Sequence, residues 1–409
     1  MKKFFALLLS LAMVLALVAC GQKETTTPDD TQTPDDTTPE VEYKVAMITD
    51  YGDITDQSFN QTTYEACKAF AEDNSIEFSY FKPAGDNTAD RVAMIEKAVN
   101  DGFNVIVMPG YAFGGAIVEA APEFPDVKFI ALDVAAGDLL ETAVAKAGEA
   151  YDYTPENWDL NKYVDMSNVY CAVYQEELCG YMAGYAAVKL GYKNLGFLGG
   201  MSVPAVVRYG YGFVQGVDAA AADLGLTDVK LNYIYGGQFF GDADITAVMD
   251  TWYQGGTEVV FACGGGIYTS AVDAAKKVNA KVIGVDVDQA GVIAKYAGVD
   301  GMTVTSAMKG LYPATYDTLT DVIVNGNWDK YVGKIATLGL VSGTDPEANY
   351  VQIPMGDGTQ WSDSFTQDDY KAMVKDMFDG KITVSNDTTK APTDFATAIT
   401  VNAQGQIKG

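Results

Sequence analysis

The chain has 409 residues, 48% of them apolar, which suggests about two domains with real cores. A formal net charge of −28, from 55 acidic and 27 basic residues, makes nucleic acid and anionic lipid head groups poor partners. Histidine is absent, which removes Ser-His-Asp and Cys-His nucleophiles, imidazole acid–base chemistry and the common zinc sites; no cofactor and no metal is expected.

At the N-terminus, Met1, Lys2 and Lys3 supply a positive start and residues 4–18 an apolar run. Leu17-Val18-Ala19-Cys20 then forms a small-residue processing site. The run is short for a membrane span and has the pattern of a secretory signal, here 1–19. The site also resembles a bacterial lipobox, which implies cleavage before Cys20, diacylglycerol on its sulfur, and a cell-membrane protein anchored on the extracytoplasmic face. A plain secretory peptide is the alternative. Residues 20–42, beyond the cysteine, are Thr, Pro, Asp, Glu and Gln with almost nothing apolar. They cannot bury enough surface to offset ordering entropy, and they read as a tether.

From 43 onward, strand and helix patterns alternate. Strands are predicted at 44–49, 77–81, 105–108, 128–132, 169–173, 195–198, 230–234, 259–262 and 281–285. Helical periodicity lies between them, as in Phe59, Thr63, Ala66, Phe70 and in Val92, Ile95, Val99. Such alternation implies parallel sheets covered by helices on both faces. A stretch at 135–167 rich in Gly, Asp, Asn and Tyr breaks the rhythm. It divides a first lobe, 43–168, from a second, 169–305, whose interface is the natural cleft. A further helix is expected at 367–378.

Strand ends carry the chemistry. Asp50 ends the first strand and precedes Phe59 and Asn60 at the opening of a helix. Gly110 to Gly114 follow the third strand and Asp133 ends the fourth. Gly236-Gly237-Gln238-Phe239-Phe240 and Gly264-Gly265-Gly266 follow strands of the second lobe, where Asp286 and Asp288 end another. In open α/β sheets ligands bind outside these ends. Carboxylates accept hydrogen bonds from hydroxyl or ring N–H groups, and aromatic faces stack on flat rings. Each Asp could equally be a turn or cap residue, and the glycine triplet a tight strand-to-helix turn. Gly210, Gly212 and Gly216 lack dinucleotide spacing and indicate close helix packing. Cys67, Cys171, Cys179 and Cys263 are read as core residues, with a Cys171–Cys179 bridge as the alternative.

Ile48-Thr49-Asp50 with Asp56-Gln57-Ser58-Phe59-Asn60, the run 129–133, 283–289 and Thr305-Ser306-Ala307-Met308-Lys309 together resemble the basic membrane protein family, in order over about 44–340. Members resembling its purine nucleoside receptor are lipoproteins of ABC importers. The resemblance implies a type I periplasmic-binding-protein-like fold, two doubly wound parallel-sheet lobes joined by a hinge, with a return segment near 306–335 completing the first lobe. Residues 336–409 would form a C-terminal segment packing on the second. The implied function is capture of a nucleoside, with a purine base expected, for delivery to an ABC permease, without catalysis. Carried over by position, Phe59 and Phe239 would stack on the base, with Phe240 as the alternative to Phe239. Asp50, Asn60 and Asp133 would bind polar edges, and Gly265, Asp286 and Lys309 the ribose. Lys309 also has a reason of its own, since an ammonium among several acids offsets their repulsion. The stretch 148–167 has no counterpart in the resemblance and would either cover the cleft or decorate it. The competing readings are a binder of another small polar ligand such as a sugar, a surface hydrolase using two strand-end carboxylates, and a surface adhesin.

Overall fold

The computed structural model describes residues 42–408. The expected signal peptide, Cys20 and all but the last residue of the tether lie outside them. All nine predicted strands form, as β1 (Lys44–Ile48), β2 (Glu77–Phe81), β3 (Val105–Pro109), β4 (Lys128–Leu132), β5 (Val169–Tyr174), β6 (Asn194–Gly199), β7 (Lys230–Tyr235), β8 (Val259–Cys263) and β9 (Lys281–Asp286). Four more follow: β10 (Thr303–Lys309), β11 (Lys334–Leu338), β12 (Val351–Gln352) and β13 (Thr400–Gln406).

The strands build two sheets, in the orders β11-β5-β4-β3-β1-β2 and β12-β10-β9-β8-β6-β7-β13. Every pairing is parallel except β10 with β12. The central strands are buried along their whole length, as in β3 and β8, because helices cover both faces of each sheet. This is why they read as continuous apolar runs rather than alternating ones.

Topology moves the lobe boundary. β5 pairs with β4 and β11 in the first sheet, so the second lobe does not begin at Val169. The stretch 135–167 connects two strands of one sheet through the crossover helix Ala136–Lys146 and the segment 148–167 beyond it, and composition alone cannot tell such a connection from a linker between lobes. At the other end β10 stays in the second sheet, extending that lobe past 305 to Lys309. The return segment is the helix Leu311–Leu319, where Tyr316 meets Phe70 and Asp73 of the helix Phe59–Asn74, followed by β11. Residues 336–338 therefore belong to the first lobe. Beyond them β12, the helix Gln367–Phe378 and β13 join the second, with Tyr370 reaching Met182.

The chain crosses between sheets three times, after β5, after β10 and between β11 and β12. Backbone bonds tie the crossings together: Gln175 N–H to Leu338 O at 2.9 Å, Gly310 N–H to Tyr350 O at 2.7 Å, and Tyr350 N–H to Gly339 O at 3.0 Å. Cys67, Cys171, Cys179 and Cys263 are free and buried, so no bridge joins Cys171 to Cys179. The glycine-rich helix Pro204–Asp223 packs backbone to backbone on the helix Glu176–Lys189. A Cβ on Gly212 would fall 2.0 Å from Glu177 O, and one on Gly180 would fall 2.3 Å from Tyr209 O. That contact brings Glu176, Arg208 and Tyr209 together beneath the cleft.

Candidate ligand-binding site

A cavity of about 440 Å³ lies between the lobes, and all eight predicted residues, Asp50, Phe59, Asn60, Asp133, Phe239, Gly265, Asp286 and Lys309, line it. They come from the ends of β1, β4, β8, β9 and β10, from the loop after β7 and from the start of the helix Phe59–Asn74. It is the crevice at the carboxyl edges where ligands of α/β sheets bind.

One pole belongs to the first lobe. Asp50 Oδ1 accepts the N–H groups of Tyr51 and Gly52, each at 2.7 Å, and the Asn60 amide at 3.3 Å. Asp56 caps the helix Phe59–Asn74 by accepting the N–H groups of Asn60 and Gln61 at 2.9 and 3.1 Å, and it holds the same Asn60 amide at 3.2 Å. Both amide hydrogens of Asn60 are thus spent within the lobe, while its Oδ1 is buried without a partner. Burial raises the Asp50 carboxyl above its usual range, against the opposing pull of the Gly52 and Tyr51 N–H groups.

The other pole surrounds Lys309. Its ammonium lies 2.5 Å from Asp133, 3.5 Å from Glu176 and 3.8 Å from Asp286, and 4.6 Å from the centre of the Phe59 ring. Desolvation works against this ammonium, but Asp133, Asp286 and Glu176 outweigh it and leave Lys309 raised. Asp286 also accepts Ser58 Oγ at 2.5 Å and Tyr209 OH at 3.3 Å, and burial raises its carboxyl. Asp133 and Asp286 end topologically equivalent strands of the two lobes with φ of 59° and 64°. Non-glycine residues rarely take that conformation outside constrained sites.

Phe239 is seated by glycine. A Cβ on Gly200 would lie 2.4 Å, and one on Gly264 2.8 Å, from the Phe239 ring, so the ring rests on bare backbone. Gly264 and Gly265 have φ of 149° and 48°, and Gly266 N–H binds Phe239 O at 2.9 Å. The triplet is a turn and a floor for the ring at once. Phe240, the alternative, also lines the cavity but is 56% exposed at its rim.

With this geometry the chain resembles known proteins over most of its length. A family model described as ABC transporter substrate-binding protein PnrA-like matches residues 43–345. The chain belongs to this Bmp family. It is an ABC transporter substrate-binding protein, not an enzyme. The "ABC transporter nucleoside-binding protein BmpA" of Lactococcus lactis is 25% identical over 84% of this chain and 90% of its own length. Basic membrane protein B of Borreliella burgdorferi is 26% identical over 76% of this chain and 83% of its own. An uncharacterized lipoprotein of Pyrococcus abyssi is 26% identical over 73% of this chain and 67% of its own. Among solved structures, an ABC solute-binding protein from Aeropyrum pernix superposes with a TM-score of 0.60 at 19% identity, covering 86% of this chain and 90% of that one. The fold is that of type I periplasmic binding proteins.

Several residues in or beneath the cavity were not singled out in the sequence. Tyr51 and Tyr111 line the cavity, and their hydroxyls point to Met201 Sδ of the second lobe at 3.8 and 3.6 Å; both adjoin strand ends, which was the available signal. Glu176 is fully buried and binds Arg208 Nε at 2.7 Å. Nothing local marks Glu176, because its burial comes from the helix pair. Asp138, also lining the cavity, accepts Ala135 N–H at 2.7 Å, and burial pushes its carboxyl up to about 7. No residue of the 148–167 insertion lines the cavity. Tyr151, Tyr153, Trp158 and Tyr163 pack on one another, and Tyr151 and Pro155 abut Gly137. The insertion supports a wall and does not roof the cleft.

Proposed function

We propose that this protein captures a nucleoside, with a purine base preferred, outside the cytoplasmic membrane and passes it to the permease of an ABC importer. One observation carries the reading: aromatic rings from both lobes, Phe59 and Phe239, share a cavity with an acceptor pole at Asp50 and Asn60 and a charged pole at Asp286 and Lys309. The rings suit a flat heterocycle, and the unpartnered Asn60 Oδ1 beside Asp50 suits the ring and exocyclic N–H groups of a purine. Asp286 with Lys309 offers an acceptor and a donor to a vicinal diol. The volume lies within the usual range of small-molecule pockets. The Lactococcus relative, named a nucleoside-binding protein, supports the base-and-sugar reading.

Anchoring through diacylglycerol on Cys20 is part of the proposal and is supported by the lipobox resemblance and by relatives named lipoproteins. Two acyl chains hold a protein stably at a membrane. Titration calorimetry with inosine, guanosine, adenosine and a pyrimidine nucleoside tests the ligand. Saturable binding, tighter for purines, is expected; flat isotherms for all of them would sink the reading. Cys20→Ala should release the protein from the membrane fraction.

A further inference from the structure

Arg208 is held on one side only. Its Nε donates to the fully buried Glu176 carboxylate at 2.7 Å, and among the described residues this is its single hydrogen bond and single ion pair. A guanidinium carries further N–H donors in a rigid fork, so the Nη edge is left over on a side chain that is 15% exposed and lines the cavity. Asp133 is the mirror case. Its Oδ2 is 2.5 Å from Lys309, while Oδ1 is buried without a partner. The two groups belong to one cluster, since Glu176 touches both Arg208 and Lys309 and Lys309 touches Asp133.

A free donor edge and a free acceptor lining one cavity match a group that accepts and donates together, which is a hydroxyl. A phosphate only accepts, and it would bring negative charge against the unpartnered Asp133 oxygen, which has no proton to offer it. With the vicinal diol assigned to Asp286 and Lys309, the sugar hydroxyl that remains is the hydroxymethyl group. Resting on the nucleoside reading, we propose that Arg208 is a specificity-determining residue. Its Nη edge donates to O5′ of the bound nucleoside while Asp133 Oδ1 accepts the hydroxyl proton, so the site selects a free 5′-hydroxyl over a 5′-hydrogen and over a 5′-phosphate.

Calorimetry on the purified protein with inosine, 5′-deoxyinosine and inosine 5′-monophosphate tests this. The deoxy ligand should bind roughly 10- to 100-fold more weakly, the range of one charge-assisted hydrogen bond, and the monophosphate more weakly than inosine. Arg208→Lys keeps a cation for Glu176 but lacks the second edge, so the ratio between inosine and 5′-deoxyinosine should fall well below the wild-type value, to what the bond to Asp133 alone sustains. Equal wild-type affinities for those two ligands would overturn the assignment even if the variant does not fold. So would a variant that weakens both ligands by one factor and leaves the ratio intact, which is what a merely structural arginine would do. If no nucleoside of any kind binds, the nucleoside reading fails first and this inference falls with it.

Discussion

The two lobes share a strand order, β2-β1-β3-β4-β5 in the first and β7-β6-β8-β9-β10 in the second, yet they prepare for a ligand differently. In the first lobe the polar groups satisfy one another at home: Asp50 holds its own turn, and Asp56 caps the helix that carries Phe59 and Asn60. In the second lobe they reach across. Lys309 pairs with Asp133, Asp286 accepts Ser58 Oγ, and Gln289 Nε2 donates to Gln57 O at 3.2 Å. A half-site complete on its own can receive a ligand first, and a half-site that needs the other lobe for its partners makes closure part of recognition.

The largest break in this comparison is Lys309→Met. It strips the cation from the buried acids Asp133, Glu176 and Asp286, and removing one partner from a buried ion pair costs about 3–5 kcal/mol. Urea unfolding should show that loss together with the absence of binding; an unchanged midpoint would mean the network does not stabilise the fold.

Phe239→Ala and Asp286→Ala should each weaken binding by roughly 10- to 100-fold, mainly through faster dissociation, because the second lobe acts after encounter. Asp286→Ala should in addition spare free bases relative to nucleosides. Stopped-flow rates separate these effects, and a pure loss of association rate would reverse the proposed order of the lobes. Ser58→Ala removes one contact between lobes and leaves both poles in place. It should cost about 1 kcal/mol or less, seen as a few-fold faster release.

The last test concerns Asp138 and reads stability rather than binding. Burial raises its folded carboxyl to about 7 from an ordinary 3.8, so the folded state binds more protons than the unfolded one between those values. Stability from this group therefore falls as pH rises from about 4 to 7 and levels off above. Asp138→Asn should melt a few degrees higher than wild type at pH 8 and at the same temperature near pH 4; a constant offset at both would contradict the linkage.

Sequence pattern alone located nine strands: the central ones are buried on both faces and so are apolar from end to end, while β2 and β7 keep exposed positions and alternate. Lobe membership was not legible. Val169–Tyr174 reads like the start of a new lobe after a polar break, but hydrogen bonding to β4 and β11 puts it in the first sheet, and no composition shift encodes a sheet partner. β11 to β13 were not read as strands, because β11 and β13 are exposed or half-buried throughout and β12 has only two residues, so none is an apolar run.

The site divides along the same line. Asp50, Phe59, Asn60, Asp133, Phe239, Gly265, Asp286 and Lys309 were legible as strand-end residues and through a family pattern, since an α/β sheet displays those ends in one place whatever its loops do. Glu176 and Tyr209 were not legible as parts of the site, and Arg208 and Ser58 were visible only as a cation near the cleft and as a motif residue, without their partners. Their meaning depends on which groups they face, and that was decided by two glycine-lined helices in backbone contact and by a chain that crosses the hinge three times. Sequence by itself determined the family, the apolar strands and the residues at their ends, all of them local patterns. Only the tertiary structure decided how those charges pair, because pairing is a matter of distance between residues far apart in the chain.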